Sequence, residues 1–248
     1  MATFFLAPYP TFGTAKNRRS EAFQKRSPYY WWWAYLKRNQ DYLDCCANGG
    51  QGRLAHLYAD FGDVRDKEFR LWWQEDRRGA RLFGEQQLEV KFHEVESATN
   101  WHADWTKDKV MVVAFPLAVG NRKLMGEIRK LLDKRHSGKQ GRPAVSKVES
   151  TAKYKLSRNY TTANLETALN VYDLWVLNNA KPKAEQIKQW EIGVELKLHK
   201  LAIKDAYSGL KQDRAVGRNL LGAMVKRYLT QAQKTIKSLE KGVFPVIK

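Results

Sequence analysis

Eight consecutive positions, Tyr29-Tyr30-Trp31-Trp32-Trp33-Ala34-Tyr35-Leu36, carry six aromatic rings and no charge. So much apolar surface is driven out of water, and any fold of this chain has to organise itself around that run. Trp32, Tyr35, Leu36 and Leu43 fall near helical spacing, which predicts a helix over 29–46, stopped by Asn48-Gly49-Gly50-Gln51-Gly52. Adjacent tryptophans on a helix point in different directions, so at least one is expected on the surface. Two readings follow. The favoured one is a compact core between short helices plus a protein-contact patch formed by Trp31, Trp32, Trp33, Trp72 and Trp73. The other is a stacking surface for single-stranded bases, with Lys37, Arg38 and Arg53 interleaved.

Helices are also predicted over Arg53–Phe61 and Asp66–Asp76, with Gly62-Asp63 as their joint. The texture then changes. Gln87–Val95 alternates through Leu88, Val90 and Phe92, and Lys109–Leu117 contains the run Val-Met-Val-Val-Ala-Phe, so both read as strands of a small hairpin or sheet. Gly120 ends the second strand, and Arg122–Lys134 reads as an amphipathic helix with Leu124, Ile128, Leu131 and Leu132 inward. Thr162 can cap a helix through Leu165, Ala168, Leu169, Tyr172 and Trp175; Pro182 can start the next, through Ile187, Trp190, Val194 and Leu198. A last helix is expected from about 215 to 240, stopped by Gly242 and Pro245. The fold class expected is α+β, mostly helical. It divides into an irregular arm (1–27), an aromatic-rich α+β domain (28–135), a basic linker (136–160) and a helical domain (161–248) suited to nucleic acid.

Charge narrows the partners. Forty-four Lys and Arg against 26 Asp and Glu give +18 over 248 residues, a field that attracts polyanions. Half of that surplus sits between Arg122 and Arg158, where 12 basic residues meet three acidic ones. The expected phosphate contacts there are Arg122, Lys123, Arg129, Lys130, Lys134, Arg135, Lys139 and Arg142. Lys139-Gln140-Gly141-Arg142-Pro143 resembles half of an AT-hook without its leading basic residue, and an ordinary solvated linker accounts for it as well. No segment approaches the ~20 apolar residues of a spanning helix, and the apolar N-terminus makes a poor signal peptide. A cytoplasmic protein without a membrane partner is expected. Cys45 and Cys46 read as buried free thiols.

A helix-turn-helix is the second constellation. Trp190-Glu191-Ile192-Gly193-Val194-Glu195-Leu196-Lys197-Leu198 has the rhythm of a positioning helix, with Gly193 letting a following helix cross closely. A basic helix would then present Arg214, Arg218, Lys226, Arg227, Lys234 and Lys237 to the major groove. The separation from Leu198 is too long for a three- or four-residue turn, so either Lys200–Tyr207 is itself the second helix or the unit is a looser bundle with a basic face.

Catalysis has little support. The five histidines are scattered without metal-ligand spacing, and Asp60, Asp63 and Asp66 are better explained as helix caps than as a divalent-ion site. No catalytic residue, metal or cofactor is expected.

Trp32-Trp33-Ala34-Tyr35-Leu36-Lys37-Arg38-Asn39-Gln40-Asp41-Tyr42 resembles the W-x-(Y/F)-L-(K/R)-R-N-x-x-Y signature of a small transcriptional-regulator-like domain, found in proteobacterial proteins of integrative elements and plasmids. Arg214–Leu239 followed by Gly242-Val243-Phe244-Pro245 is similar to the basic helical tail of some of those proteins. The resemblance implies a DNA-binding regulatory or accessory protein of a mobile element, with DNA ahead of RNA as partner. The alternative expectation is a subunit of a nucleoprotein or phage-type assembly, contacting protein or a second copy through the tryptophans.

Overall fold

A computed structural model describes residues 3–86, 111–114, 116–135, 150–157 and 160–246. In chain order the elements are strand β1 (Thr3–Phe4) and helices α1 (Glu21–Gln24), α2 (Pro28–Leu36), α3 (Gln40–Ala47), α4 (Ala55–Phe61), α5 (Phe69–Gln74) and α6 (Arg78–Phe83). Strand β2 (Glu85–Gln86) pairs antiparallel with β1, Thr3 opposite Gln86. Helices α7 (Asn121–Arg135), α8 (Thr162–Asn179), α9 (Gln189–Glu195), α10 (Lys200–Ala206) and α11 (Lys211–Ser238) follow. The described residues are therefore mostly helical. None of their helices is long and apolar enough to cross a membrane.

The aromatic run departs from expectation in an instructive way. All nine residues of α2 are buried. Trp32 meets Phe61, Phe83, Tyr154 and Phe244, while Trp33 meets Tyr30 and Phe69. Trp31 donates its indole N–H to the Lys25 carbonyl at 2.8 Å. Trp72 and Trp73 are buried as well, against Phe61, Phe69 and Phe83. The expected protein-contact patch of Trp31, Trp32, Trp33, Trp72 and Trp73 is therefore not formed. A helix apolar on every side is covered on every side, and here several elements surround α2, so side chains pointing in different directions all find cover. The same burial removes the expected base-stacking surface of this block.

The helix expected over 29–46 is two helices. Ser27 caps α2 by accepting from the Tyr29 amide at 3.3 Å, with Pro28 in the first helical position. Asn39 breaks the run: its Oδ1 caps α3 at the Tyr42 amide (2.9 Å) while its Nδ2 donates to the Ile236 carbonyl (2.9 Å). A buried amide that satisfies the backbone of two distant segments makes a stronger stop than a helical pattern can override.

The expected division at 136–160 also gives way. One unit comprises Met1–Gln86 with Ser150–Lys248, and a second comprises Gln87–Glu149. Leu165, Ala168, Leu169, Ala232, Ile236, Leu239 and Phe244 belong to the same core as the N-terminal aromatics. Ala152 and Tyr154, expected in a linker, are buried, and the Tyr154 amide donates to the Leu82 carbonyl at 3.0 Å. Buried Glu85 closes the seam within this first unit, accepting from Ser150 Oγ (2.6 Å), the Thr151 amide (2.6 Å) and hydroxyl (2.9 Å) and the Ala152 amide (3.1 Å). Four donors on one carboxylate offset the cost of taking its charge out of water.

The strand pair is corrected too. Residues 111–114 and 116–117 of the expected strand Lys109–Leu117 form no strand, and Val112 and Leu117 are exposed. The strand expected over Gln87–Val95 lies outside the described residues, as does most of the linker. Apolar runs report a preference for burial but name no pairing partner.

Helix α11 is the spine of the first unit. Twenty-eight residues at 1.5 Å each make it ~42 Å long. Gly217, Leu221, Val225, Leu229, Ala232 and Ile236 form its buried stripe at three- and four-residue steps. That stripe joins the aromatic core to a cluster with Val171 and Ile192, and to another with Ala202 and Ala206.

Candidate nucleic-acid interface

From Arg214 to Leu239 the chain contains no Asp or Glu and six Lys or Arg. The buried stripe settles where those cations go. At 100° per residue Lys226, Arg227, Lys234 and Lys237 fall within an arc of about 100° on the side away from it, and all four are exposed. Lys226 and Lys237 are ~17 Å apart along the axis. Among the described residues, Lys237 is the one of the four that is ion-paired, with Asp41 at 3.1 Å and Glu240 at 2.8 Å. Arg227 lies over the ring of Tyr228, 5.0 Å from its centroid. Lys226, Arg227 and Lys234 are left as a row of cations on a rigid helix, the arrangement that can lie along a phosphate chain.

Arg214 and Arg218 behave differently. Arg214 Nη1 donates to the Ser208 and Gly209 carbonyls at 3.3 and 3.4 Å. Arg218 donates Nε to the Ala206 carbonyl at 3.2 Å, and its guanidinium sits 4.5 Å from the Trp190 ring centroid. Both are half-buried and brace the corner between α10 and α11, so their first role is structural.

That corner answers the question of the helix-turn-helix spacing. Lys200–Ala206 is indeed a helix, four residues after α9 and four before α11. The first turn closes in a Schellman arrangement: the Leu198 amide donates to the Gly193 carbonyl at 3.0 Å and the Lys197 amide to the Val194 carbonyl at 2.9 Å, with Lys197 in left-handed backbone (φ 52°). His199 then caps α10, its Nδ1 accepting from the Ala202 amide at 3.1 Å. Gly193 allows close crossing, as its residue type suggested; a Cβ there would lie 3.2 Å from Leu221 Cβ on α11. Gly217 is tighter still, since its Cβ would lie 2.5 Å from the Ala206 nitrogen and 2.6 Å from the Ala202 oxygen. The expected basic helix is thus the third helix of this corner. The exposed Lys197, Lys200, Lys204 and Lys211 around it were not singled out from the sequence. The start of the helix that carries Lys200 and Lys204 depends on the turn at 196–199, which holds Lys197 and for which no glycine or proline gives a signal.

In the second unit, α7 carries Arg122, Lys123, Arg129, Lys130 and Lys134, all exposed, and Lys130 pairs with Glu127 at 2.8 Å. Arg135 is the last residue of α7. Lys139 and Arg142 lie outside the described residues.

The motif Trp32–Tyr42 resolves into structural tasks. Tyr35 donates its hydroxyl to the Leu165 carbonyl at 2.9 Å and Tyr42 to the Gly62 carbonyl at 2.7 Å; burial pushes both phenols well above their ordinary pKa. Arg38 forms a fork with Asp173, at 3.1 and 2.7 Å.

Two of the three carboxylates weighed for metal chemistry, Asp60 and Asp63, are already engaged. Asp60 accepts from Lys153 at 2.6 Å and Tyr154 at 2.7 Å, and Asp63 is held by Arg65. For Asp60, burial acts to raise the pKa, but these two donors outweigh it and leave the carboxyl below its ordinary value; for Asp63, the Arg65 hydrogen bonds are the main cause of the same direction. No group of three or more His, Cys, Asp or Glu among the described residues is placed to hold a metal ion.

Comparison of the chain with protein family models, with curated proteins and with solved structures finds no match.

Proposed function

We propose that this protein binds nucleic acid, DNA ahead of RNA, along the outer face of α11. The observation that carries the reading is the carboxylate-free span Arg214–Leu239, whose Lys226, Arg227 and Lys234 stand exposed, without ion pairs among the described residues, on one side of a helix anchored by its opposite side. Each phosphate these cations neutralise releases condensed counterions, so affinity is electrostatic and falls with salt. The α9–α10–α11 corner supports duplex docking by its four-residue turns and close helix crossings. A role as a regulatory or accessory protein of a mobile element rests on the resemblance of Trp32–Tyr42 alone. The assembly-subunit reading loses its tryptophan surface, because those rings are core.

Fluorescence anisotropy on a labelled duplex, titrated between 50 and 300 mM salt, tests the proposal. Neutralising Lys226, Arg227 and Lys234 together (K226A/R227A/K234A) removes three phosphate contacts and lowers the magnitude of the log–log salt slope by about 3. Affinity independent of salt, or a slope unchanged in the triple variant, would overturn it.

A further inference from the structure

Two exposed aromatic rings of the described surface are braced by other rings: Tyr9, against Phe5 and Trp73, and Tyr207, the more exposed of the two. Tyr207 closes α10, is 62% exposed, and stands edge-to-face against Trp190, with centroids 5.8 Å apart and planes at 69°. Trp190 is in turn covered by Arg218, whose guanidinium is 4.5 Å from its centroid and whose Nε is tied to the Ala206 carbonyl. Arg218, Trp190 and Tyr207 therefore form a supported stack in which Tyr207 is the most exposed ring. Its backbone is fixed by the Tyr207 amide donating to the Lys204 carbonyl and by the close seating of α10 on Gly217. Around it the charge is positive: between Lys197 and Lys211 four lysines meet one acid, Asp205. An exposed flat ring within a lysine-rich stretch of chain suits a polyanion that carries flat faces of its own.

We infer that Tyr207, buttressed by Trp190 and Arg218, is a stacking site for an unpaired nucleobase, with the flanking lysines on the neighbouring phosphates. This rests on the nucleic-acid reading above and adds to its phosphate contacts, which a duplex and a single strand both satisfy, a contact that only an unpaired base can make. Stacking is sequence-tolerant because every base offers a π-face, and a single aromatic residue changes affinity by roughly tenfold. A duplex hides its base faces and gains nothing from Tyr207.

The test uses the full chain and three probes of equal length: a labelled single-stranded oligonucleotide, the same backbone with abasic sites, and a duplex. The wild type is expected to bind the single strand about tenfold tighter than the abasic strand, Y207A to abolish that ratio, and Y207F to keep it. Unchanged far-UV circular dichroism and melting of Y207A show that the fold survives. Salt-dependent binding of all probes with the same base-to-abasic ratio in wild type and Y207A would overturn the stacking site while leaving the electrostatic proposal standing. Binding of no probe at any salt would overturn the proposal it rests on. Sedimentation with phosphatidylglycerol vesicles that depends on Tyr207, without a base-to-abasic ratio, would reassign the ring to a lipid surface and also overturn the inference.

Discussion

Replacing Glu240 by Gln is expected to destabilise the protein at neutral pH and to matter progressively less in acid. The Glu240 side chain is only 7% exposed and sits among three donors: Arg53 Nη1 at 2.8 Å, Lys237 Nζ at 2.8 Å and Asn39 Nδ2 at 3.3 Å. Burial on its own would raise its pKa, but the hydrogen bonds from Arg53, Lys237 and Asn39 outweigh it and hold the carboxyl down at about 2, against an ordinary value of 4.5. Linkage converts that difference to roughly 3 kcal/mol of stability at pH 7. The figure is an upper bound, because Arg53 and Lys237 are more than half exposed and water screens part of their pull. The sign follows from the depressed value. The contribution is full above pH 4.5, declines as pH falls, and is gone below about 2. Urea unfolding of wild type and E240Q at pH 7 should therefore differ by about 2–3 kcal/mol, shrinking to roughly 1 kcal/mol at pH 3. Equal stability at pH 7, or a deficit unchanged at pH 3, would refute the assignment.

Two further substitutions probe the α9–α10–α11 corner. Gly217→Ala drives a methyl group into backbone atoms of α10 at 2.5–2.6 Å, so α10 has to move and the variant should lose about 1–3 kcal/mol in chemical denaturation. Lys197→Gly relieves a left-handed residue (φ 52°) without touching the Schellman hydrogen bonds and should gain about 1 kcal/mol, read as a higher melting temperature.

Several elements were legible from residues alone because their signals are local. The periodic run through Leu165, Ala168 and Leu169 lies in α8, although the cap is Thr161, whose hydroxyl accepts from the Asn164 amide at 3.2 Å, and not Thr162. The long basic helix was placed by Val216–Leu239 and runs over Lys211–Ser238; its stop at Gly242, which adopts φ 66°, was also readable. Helix α7 is legible in the spacing of Leu124, Ile128, Leu131 and Leu132, but Leu131 and Leu132, expected inward, are exposed. For the site, the row Lys226, Arg227, Lys234 and Lys237 could be named because charge count and helical phase are both sequence properties. Arg214 and Arg218 carry the same sequence signal, and nothing local distinguishes a cation that faces solvent from one turned back onto carbonyls at a helix corner.

What the residues determine by themselves is a set of obligations: an aromatic run that has to be buried, a helix of uncommon length, and a positive surplus that has to remain in water. What only the tertiary structure decides is how those obligations are shared. Five tryptophans expected to share their surface between a core and a contact patch are all core, because helices from both ends of the chain close around α2. Phe244 reaches Trp32 and Tyr35, and Asn39 reaches Ile236, across about two hundred residues of sequence. Hydrophobic pattern specifies that a side chain is covered and on which face. It does not name the cover, because apolar attraction carries no address and long-range pairing is set by the joint packing of the whole chain.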